Sequence, residues 1–261
     1  MEAEIGVMGG SGVYELLDNS KEVFVKTPYG KPSDKIELGE IADKKVAFLP
    51  RHGRGHRIPP HLVNYRANVF AMHKLGVRKL IGPGAVGSLK KSIRPGHFVI
   101  TDQFIDRTNG RKDTFVEGPK VDHLPAAEVY CDNLRDIAVK RCRALKIPVH
   151  TKGTVVIING PRFSSKAESL WYKKMGWHIL SMTQYPENVL ARELGMCYLS
   201  IGLVTDYDAG LEGEPGIQPV TFAEVMKTVE KNARTFRKLV FQIVKNLPKT
   251  DGKKSCICVV S

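Results

Sequence analysis

Asp206 and Asp208 close an apolar run, Tyr198-Leu199-Ser200-Ile201-Gly202-Leu203-Val204, and stand two residues apart. A strand repeats every two residues, so both acids leave on one side where that strand ends. Paired acceptors there, with cationic and glycine-rich loops elsewhere, suit a molecule with an amine donor at one end and a phosphate at the other. Adenine offers such an amine at N6, beside an N7 that accepts a hydrogen bond. Strand-end acids also serve ordinary turns, so the pair alone decides nothing.

Several loops carry compatible chemistry. Gly9-Gly10-Ser11-Gly12 follows a strand-like run, where backbone N–H groups and one hydroxyl can cradle an anion. It matches neither G-x-G-x-x-G nor a P-loop, and a plain glycine turn is the simpler account. In Arg51-His52-Gly53-Arg54-Gly55-His56-Arg57, five of seven residues are cationic or can become so. Arginine suits phosphate because its planar fork donates in pairs, and the interleaved glycines point to close backbone approach. A solvated basic loop is the alternative. His52 and His56 have the spacing of a helical zinc pair, but the glycines and Pro59-Pro60 oppose a helix. No acid or cysteine stands nearby, so no metal is expected.

Gly160-Pro161-Arg162-Phe163-Ser164-Ser165 leads into Ser165-Lys166-Ala167-Glu168, a capping box that gives Ser165 and Glu168 a structural task. Phe163 in that loop could stack on a base face or fill a core. Met182-Thr183 sets an apolar surface beside a hydroxyl.

Strand-like runs position these loops: 4–8, 46–49, 79–82, 98–101, 153–158, 178–180 and 197–204. Helical patterns alternate with them at 62–74, 129–145, 166–174, 187–194 and 222–244, with Gly76 and Gly195 as stop signals. This order predicts an α/β layered fold around a largely buried sheet, as one domain over 1–247 with a tail over 248–261.

The chain has 261 residues, 42% apolar and 26% charged, as in ordinary globular proteins. Its net charge of +13 raises nucleic-acid binding, yet the basic residues are spread out and no recognition motif accompanies them. Lys227, Lys231, Arg234 and Lys238 fall between Phe222, Val225, Met226, Val229, Ala233, Phe236, Val240 and Ile243, which mark a buried stripe. A solvated outer face accounts for those charges. No stretch approaches a membrane span, and the acidic start, Met1-Glu2-Ala3-Glu4, is unlike a secretory signal. Neither nucleic acid nor membrane is therefore an expected partner, and the cytoplasm is the expected location. Cys256-Ile257-Cys258 could be a redox pair, a staple or a soft-metal handle, and Cys258-Val259-Val260-Ser261 fits a short prenylation box.

Taken in order, these segments resemble the purine nucleoside phosphorylase family, and within it the 5′-methylthioadenosine phosphorylases. The likeness runs from about Ile5 to about Ala233. It rests on Gly9 to Gly12, Pro50-Arg51-His52-Gly53, Gly84-Ala85-Val86-Gly87-Ser88-Leu89, Thr101 to Thr108, Gly160 to Ser165, Met182-Thr183 and Thr205-Asp206-Tyr207-Asp208. It implies a central mixed, twisted sheet flanked by helices, and a phosphorolysis with inorganic phosphate as co-substrate and no cofactor. Ser11, Arg51, His52 and Thr183 would hold phosphate, helped by the Ala85 backbone. Met182 would lie against the ribose, Phe163 and Ser164 would face the base, and Asp206 and Asp208 its N7/N6 edge. Asp206 would be the catalytic acid.

Relatives that cleave 6-oxopurines carry Glu after the loop phenylalanine and Asn at the first acid position. Ser164 and Asp206 stand there in this chain, which points to adenine-type bases. Phe222, Val225 and Met226 correspond to the family's pocket for the 5′ group and are all apolar. His123 would reach a neighbouring subunit's site, implying a trimer or a hexamer. Pro83-Gly84 departs from a hydroxyl-bearing pair used on phosphate. The tail cysteines resemble those of heat-loving members, and Cys131 and Cys197 stand where a pair or two thiols would both fit.

Overall fold

The computed structural model describes residues 2–10, 12–13, 16–17, 19–119 and 121–248. Ser11 and the Cys256/Cys258 tail lie outside the described residues. The strands are β1 (Ile5–Gly9), β2 (Lys21–Val23), β3 (Ile36–Ile41), β4 (Lys44–Pro50), β5 (Lys79–Ser88), β6 (Phe98–Ile100), β7 (Gln103–Arg107), β8 (Val149–His150), β9 (Thr154–Ile158), β10 (Ile179–Ser181) and β11 (Cys197–Tyr207). The helices are α1 (Tyr65–Lys74), α2 (Asp132–Ala144), α3 (Lys166–Lys174), α4 (Glu187–Glu193) and α5 (Phe222–Asn246).

The strands form one mixed sheet in the order β2-β3-β4-β1-β5-β10-β9-β7, with β11 on the other flank of β5 and β6 and β8 beyond it. The strands expected from apolar runs are all present. Those not expected, β2, β3, β7 and β8, mix apolar with charged or polar residues or are very short. Helix α1 starts later than expected: Pro59-Pro60 open a 3-10 turn over Pro60–Leu62, and Asn64 then caps the helix by accepting from the Ala67 N–H. The capping box at α3 forms as its sequence predicts. Gly76 and Gly195 end α1 and α4 with φ of 99° and 66°.

Helix α5 divides its apolar stripe. Val229, Phe236, Val240 and Ile243 are buried in the core, where Phe236 meets Phe98 edge-on at 5.2 Å. Phe222, by contrast, is 61% exposed. The expectation of a continuous buried stripe therefore fails in the first turns, because those residues wall a cavity and not the core. Lys227, Lys231, Arg234 and Lys238 do face solvent. Cys131, Cys142 and Cys197 are buried thiols.

Candidate active site

The cavity opens where the sheet splits. Strand β5 runs beside β1 only through Ile81 and joins β10 only at Gly87 and Ser88, while β11 follows it throughout. Between those pairings one edge of β5 carries Pro83, Gly84 and Ala85, so the missing N–H of Pro83 breaks no ladder on that side. Gly84, Ala85 and Gly87 form the wall of a cavity of about 360 Å³, within the usual range for small-molecule sites. Divergence of neighbouring strands is a common origin of such crevices.

At one end, the turn after β4 contributes Arg51 and His52. Arg51 is 1% exposed. Its Nε donates to Glu187 Oε1, and Nη2 donates to Glu187 Oε2 at 3.0 Å and to the Met8 carbonyl at 2.7 Å. Nη1 donates to the Pro83 carbonyl at 3.1 Å. Four of a guanidinium's five N–H groups are thus engaged, and the paired donors that sequence assigned to phosphate go to Glu187. The remaining N–H sits on Nη1, beside Gly10. Glu187 also accepts from Tyr198 Oη at 2.9 Å.

His52 is buried, and its Nδ1 lies 2.8 Å from the Ile58 carbonyl oxygen. Burial, and then the charge of Arg51, push its pKa down to about 3, so the ring is neutral. His56 is not helical with respect to it; its ring stacks on His52 at 4.3 Å. Among the described residues no cluster of three or more His, Cys, Asp or Glu could hold a metal ion. Thr183 completes this end, reached from the end of β10.

At the other end, β11 brings both acids to the cavity. A bulge between Val204 and Asp206 inserts Thr205 out of register with β5. The Thr205 hydroxyl lies 2.7 Å from Asp206 Oδ1 and orients that carboxyl. Burial pushes the Asp206 pKa up to about 7, opposed by the Thr205 hydrogen bond and reinforced by Asp208. Near neutrality this carboxyl is therefore poised to hold or give a proton. Asp208 is 1% exposed. Burial raises its pKa too, against the hydrogen bond from Ser164, whose hydroxyl lies 2.7 and 2.6 Å from the two carboxylate oxygens. Gly87 makes room for the pair, since a Cβ there would sit 3.0 Å from Asp206 Oδ2.

Between the two ends, Met182 and Phe163 form walls. Gly160 has φ of +65°, and a Cβ on it would come within 2.5 Å of Met182 Sδ, so both its conformation and its lack of a side chain are needed. Phe222, Val225 and Met226 close the apolar side from α5. His123 is exposed and does not line the cavity of its own chain. Glu187 and Thr205 were missed by sequence reasoning. An acid inside an otherwise apolar helical pattern after Pro186 was the available signal for the first; the bulge left none for the second.

A family model for the phosphorylase superfamily matches residues 4–245. The chain is similar to a purine nucleoside phosphorylase of Streptomyces coelicolor, 46% identical over 99% of this chain and 94% of that one. It is equally similar to an S-methyl-5′-thioadenosine phosphorylase of Thermofilum pendens, 46% identical over 98% of this chain and 96% of the relative. Its fold matches a single-substitution variant of the adenosine/methylthioadenosine phosphorylase of Schistosoma mansoni, solved with methylthioadenosine, at TM-score 0.87 and 37% identity. That match covers 93% of this chain and 90% of the other. With nearly the whole chain matched and the sheet, cavity and paired acids in place, this protein belongs to the phosphorylase superfamily.

Proposed function

We propose that this chain cleaves the N-glycosidic bond of 5′-methylthioadenosine with inorganic phosphate, releasing adenine and 5-methylthioribose 1-phosphate. The observation that carries the proposal is one cavity lined by Arg51, His52 and Thr183 at one end and by Asp206 and Asp208 at the other, where Ser164, itself not a lining residue, donates to Asp208. A relative named for this activity is 46% identical over almost the full length.

Phosphate held by Arg51 Nη1, Thr183 and the backbone at Ala85, with Ser11 from the glycine loop, lies beneath C1′ of the sugar. Holding it there converts an encounter into a positioned attack. As the C1′–N9 bond breaks, its electron pair stays on the purine and positive charge develops on the sugar; a phosphate oxygen then bonds C1′. Asp206, protonated in part near neutral pH, gives its proton to N7 of the departing base. Asp208, fixed by Ser164, accepts from the N6 amine, and Phe163 stacks on the base. An ionised carboxylate facing a 6-oxo group would repel it, which favours adenine over hypoxanthine. Met182 lies against the ribose, and Phe222, Val225 and Met226 favour a methylthio group over a hydroxyl; one such apolar contact discriminates by about 1–3 kcal/mol.

A broader purine nucleoside phosphorylase that also takes adenosine or inosine is the second reading, favoured by the similarly identical Streptomyces relative. Comparing kcat/KM across 5′ substituents separates the two. We infer a cytoplasmic, metal-free enzyme that assembles as a homotrimer or hexamer, with His123 reaching a neighbour's cavity. Among the described residues no helix is long and apolar enough to cross a membrane.

Adenine release from 5′-methylthioadenosine should require phosphate. Equal release with and without phosphate would identify a hydrolase and end the proposal.

A further inference from the structure

Strands β9 and β10 pair in register only as far as Ile157 and Ser181. Beyond that point they part, β9 into the loop from Gly160 to Ser164 and β10 into Met182 and Thr183. Carbonyls facing the gap have no ladder to join, and a buried carbonyl left unpaired is costly. Arg111, in the segment that follows β7, takes them up. Its Nη2 donates to the carbonyls of Met182 at 2.8 Å, Asn159 at 3.2 Å and Ile158 at 3.3 Å, and its Nη1 to that of Tyr185. The buried Nε has no partner among the described residues, so the two terminal nitrogens make every bond. The guanidinium also lies over the Tyr65 ring, 4.9 Å from its centroid. Tyr65 Oη in turn donates to the Pro60 carbonyl at 2.9 Å. The segment that delivers Arg111 is itself anchored, since Glu193 accepts from the Thr114 hydroxyl at 2.7 Å and the Phe115 N–H at 2.8 Å. Three walls of the cavity meet beside this cation: a Cβ on Gly160 would lie 2.5 Å from Met182 Sδ and 3.3 Å from Pro60 Cγ.

The geometry points to Arg111 as a positioning residue for the reaction, its guanidinium fixing the gap between the Met182 wall and the loop that carries Phe163. The inference rests on the phosphorolysis proposed above and names a residue outside the cavity on which its rate depends. Arg111 does not line the cavity, whereas Pro60, Pro161, Phe163, Met182 and Thr183 do. Its loss therefore removes no contact with the substrate. What changes is the alignment of the sugar wall and Thr183 with the base loop, on which the approach of phosphate to C1′ depends. A displacement of about 1 Å in such an arrangement can cost about 10²-fold in rate. Lysine is no equivalent, because its ammonium is a compact point charge on a flexible stem, while the rigid fork holds carbonyls from both strands at once.

The test is steady-state phosphorolysis of 5′-methylthioadenosine at saturating phosphate, with circular dichroism to establish that each variant is folded. Arg111→Ala should lower kcat about 100-fold, while the KM for the nucleoside changes far less. Millimolar guanidinium, which presents the same terminal nitrogens, should restore at least about tenfold of that loss. Sodium chloride at the same concentration should restore none. Arg111→Lys keeps the charge and should fold, yet still lose at least about tenfold in kcat. If the alanine variant does not fold, the lysine variant decides alone. A smaller kcat loss in either folded variant, a loss confined to KM, or no response of folded Arg111→Ala to guanidinium would overturn the inference. Adenine release by the unaltered protein that never depends on phosphate would instead remove the phosphorolysis reading beneath it.

Discussion

Asp206→Ala should lower kcat for 5′-methylthioadenosine by about 10²–10⁴-fold, the usual worth of a positioned acid. The KM for phosphate should change little, because Asp206 stands at the far end of the cavity from Arg51 and His52. Asp206→Asn should weaken adenine nucleosides and tolerate inosine better, since the amide cannot give a proton to N7 but its NH₂ can donate to a neighbouring O6. An unchanged base preference would remove Asp206 from recognition. The pH dependence follows from its carboxyl, which burial holds at about 7. At saturating phosphate, kcat/KM for the nucleoside should fall as pH rises through about 7, and this inflection should vanish in Asp206→Asn. The folded-state pKa lies above the unfolded value of 3.8, so the stability linked to this proton is full at low pH and lost as pH rises through about 7. Asp206→Asn should accordingly gain stability relative to the unaltered protein on the alkaline side. Equal urea midpoints of the two proteins on both sides of that range would contradict the assignment.

Glu187→Ala should be the most destabilising change at the site. It leaves Arg51, 1% exposed, with an unpaired buried charge, a loss of about 3–5 kcal/mol. Tyr198→Phe removes only one hydrogen bond to Glu187 Oε2 and should cost about 1.5–3 kcal/mol, as for bonds to charged groups. Urea denaturation measures both. A Glu187→Ala protein within about 0.5 kcal/mol of the unaltered one, the spread of a neutral surface change, would show that the pair does not hold Arg51 in place.

The layered α/β architecture was legible because the strands that carry the site are apolar runs. Strand β1 is buried throughout, and β11 is buried as far as Thr205. Strands β2 and β3 escaped notice because they form an edge hairpin of charged and apolar residues, for which alternation is weak evidence. The loops that deliver Arg51, His52, Met182, Thr183, Asp206 and Asp208 could be read from glycines, charges and strand ends, and the structure brings all six to one cavity. What could not be read was how those residues are held. Glu187 lies 136 positions from Arg51 in the chain, and no local pattern links them. The role of Arg51 shifted for that reason: its fork is structural, and a single edge faces the cavity. The extra residue at Thr205 is likewise a property of pairing with β5 and not of β11 alone. Helix α5 shows the converse error, since a cavity wall and a core produce the same apolar periodicity.

The most direct measurement is a crystal structure of the protein with phosphate and adenine bound together. The account predicts the anion within hydrogen-bond reach of His52, Thr183 and Arg51 Nη1, and adenine with N7 and N6 against Asp206 and Asp208, leaving room for one pentose between them. Phosphate and adenine in separate places, or adenine turned away from the two acids, would contradict it.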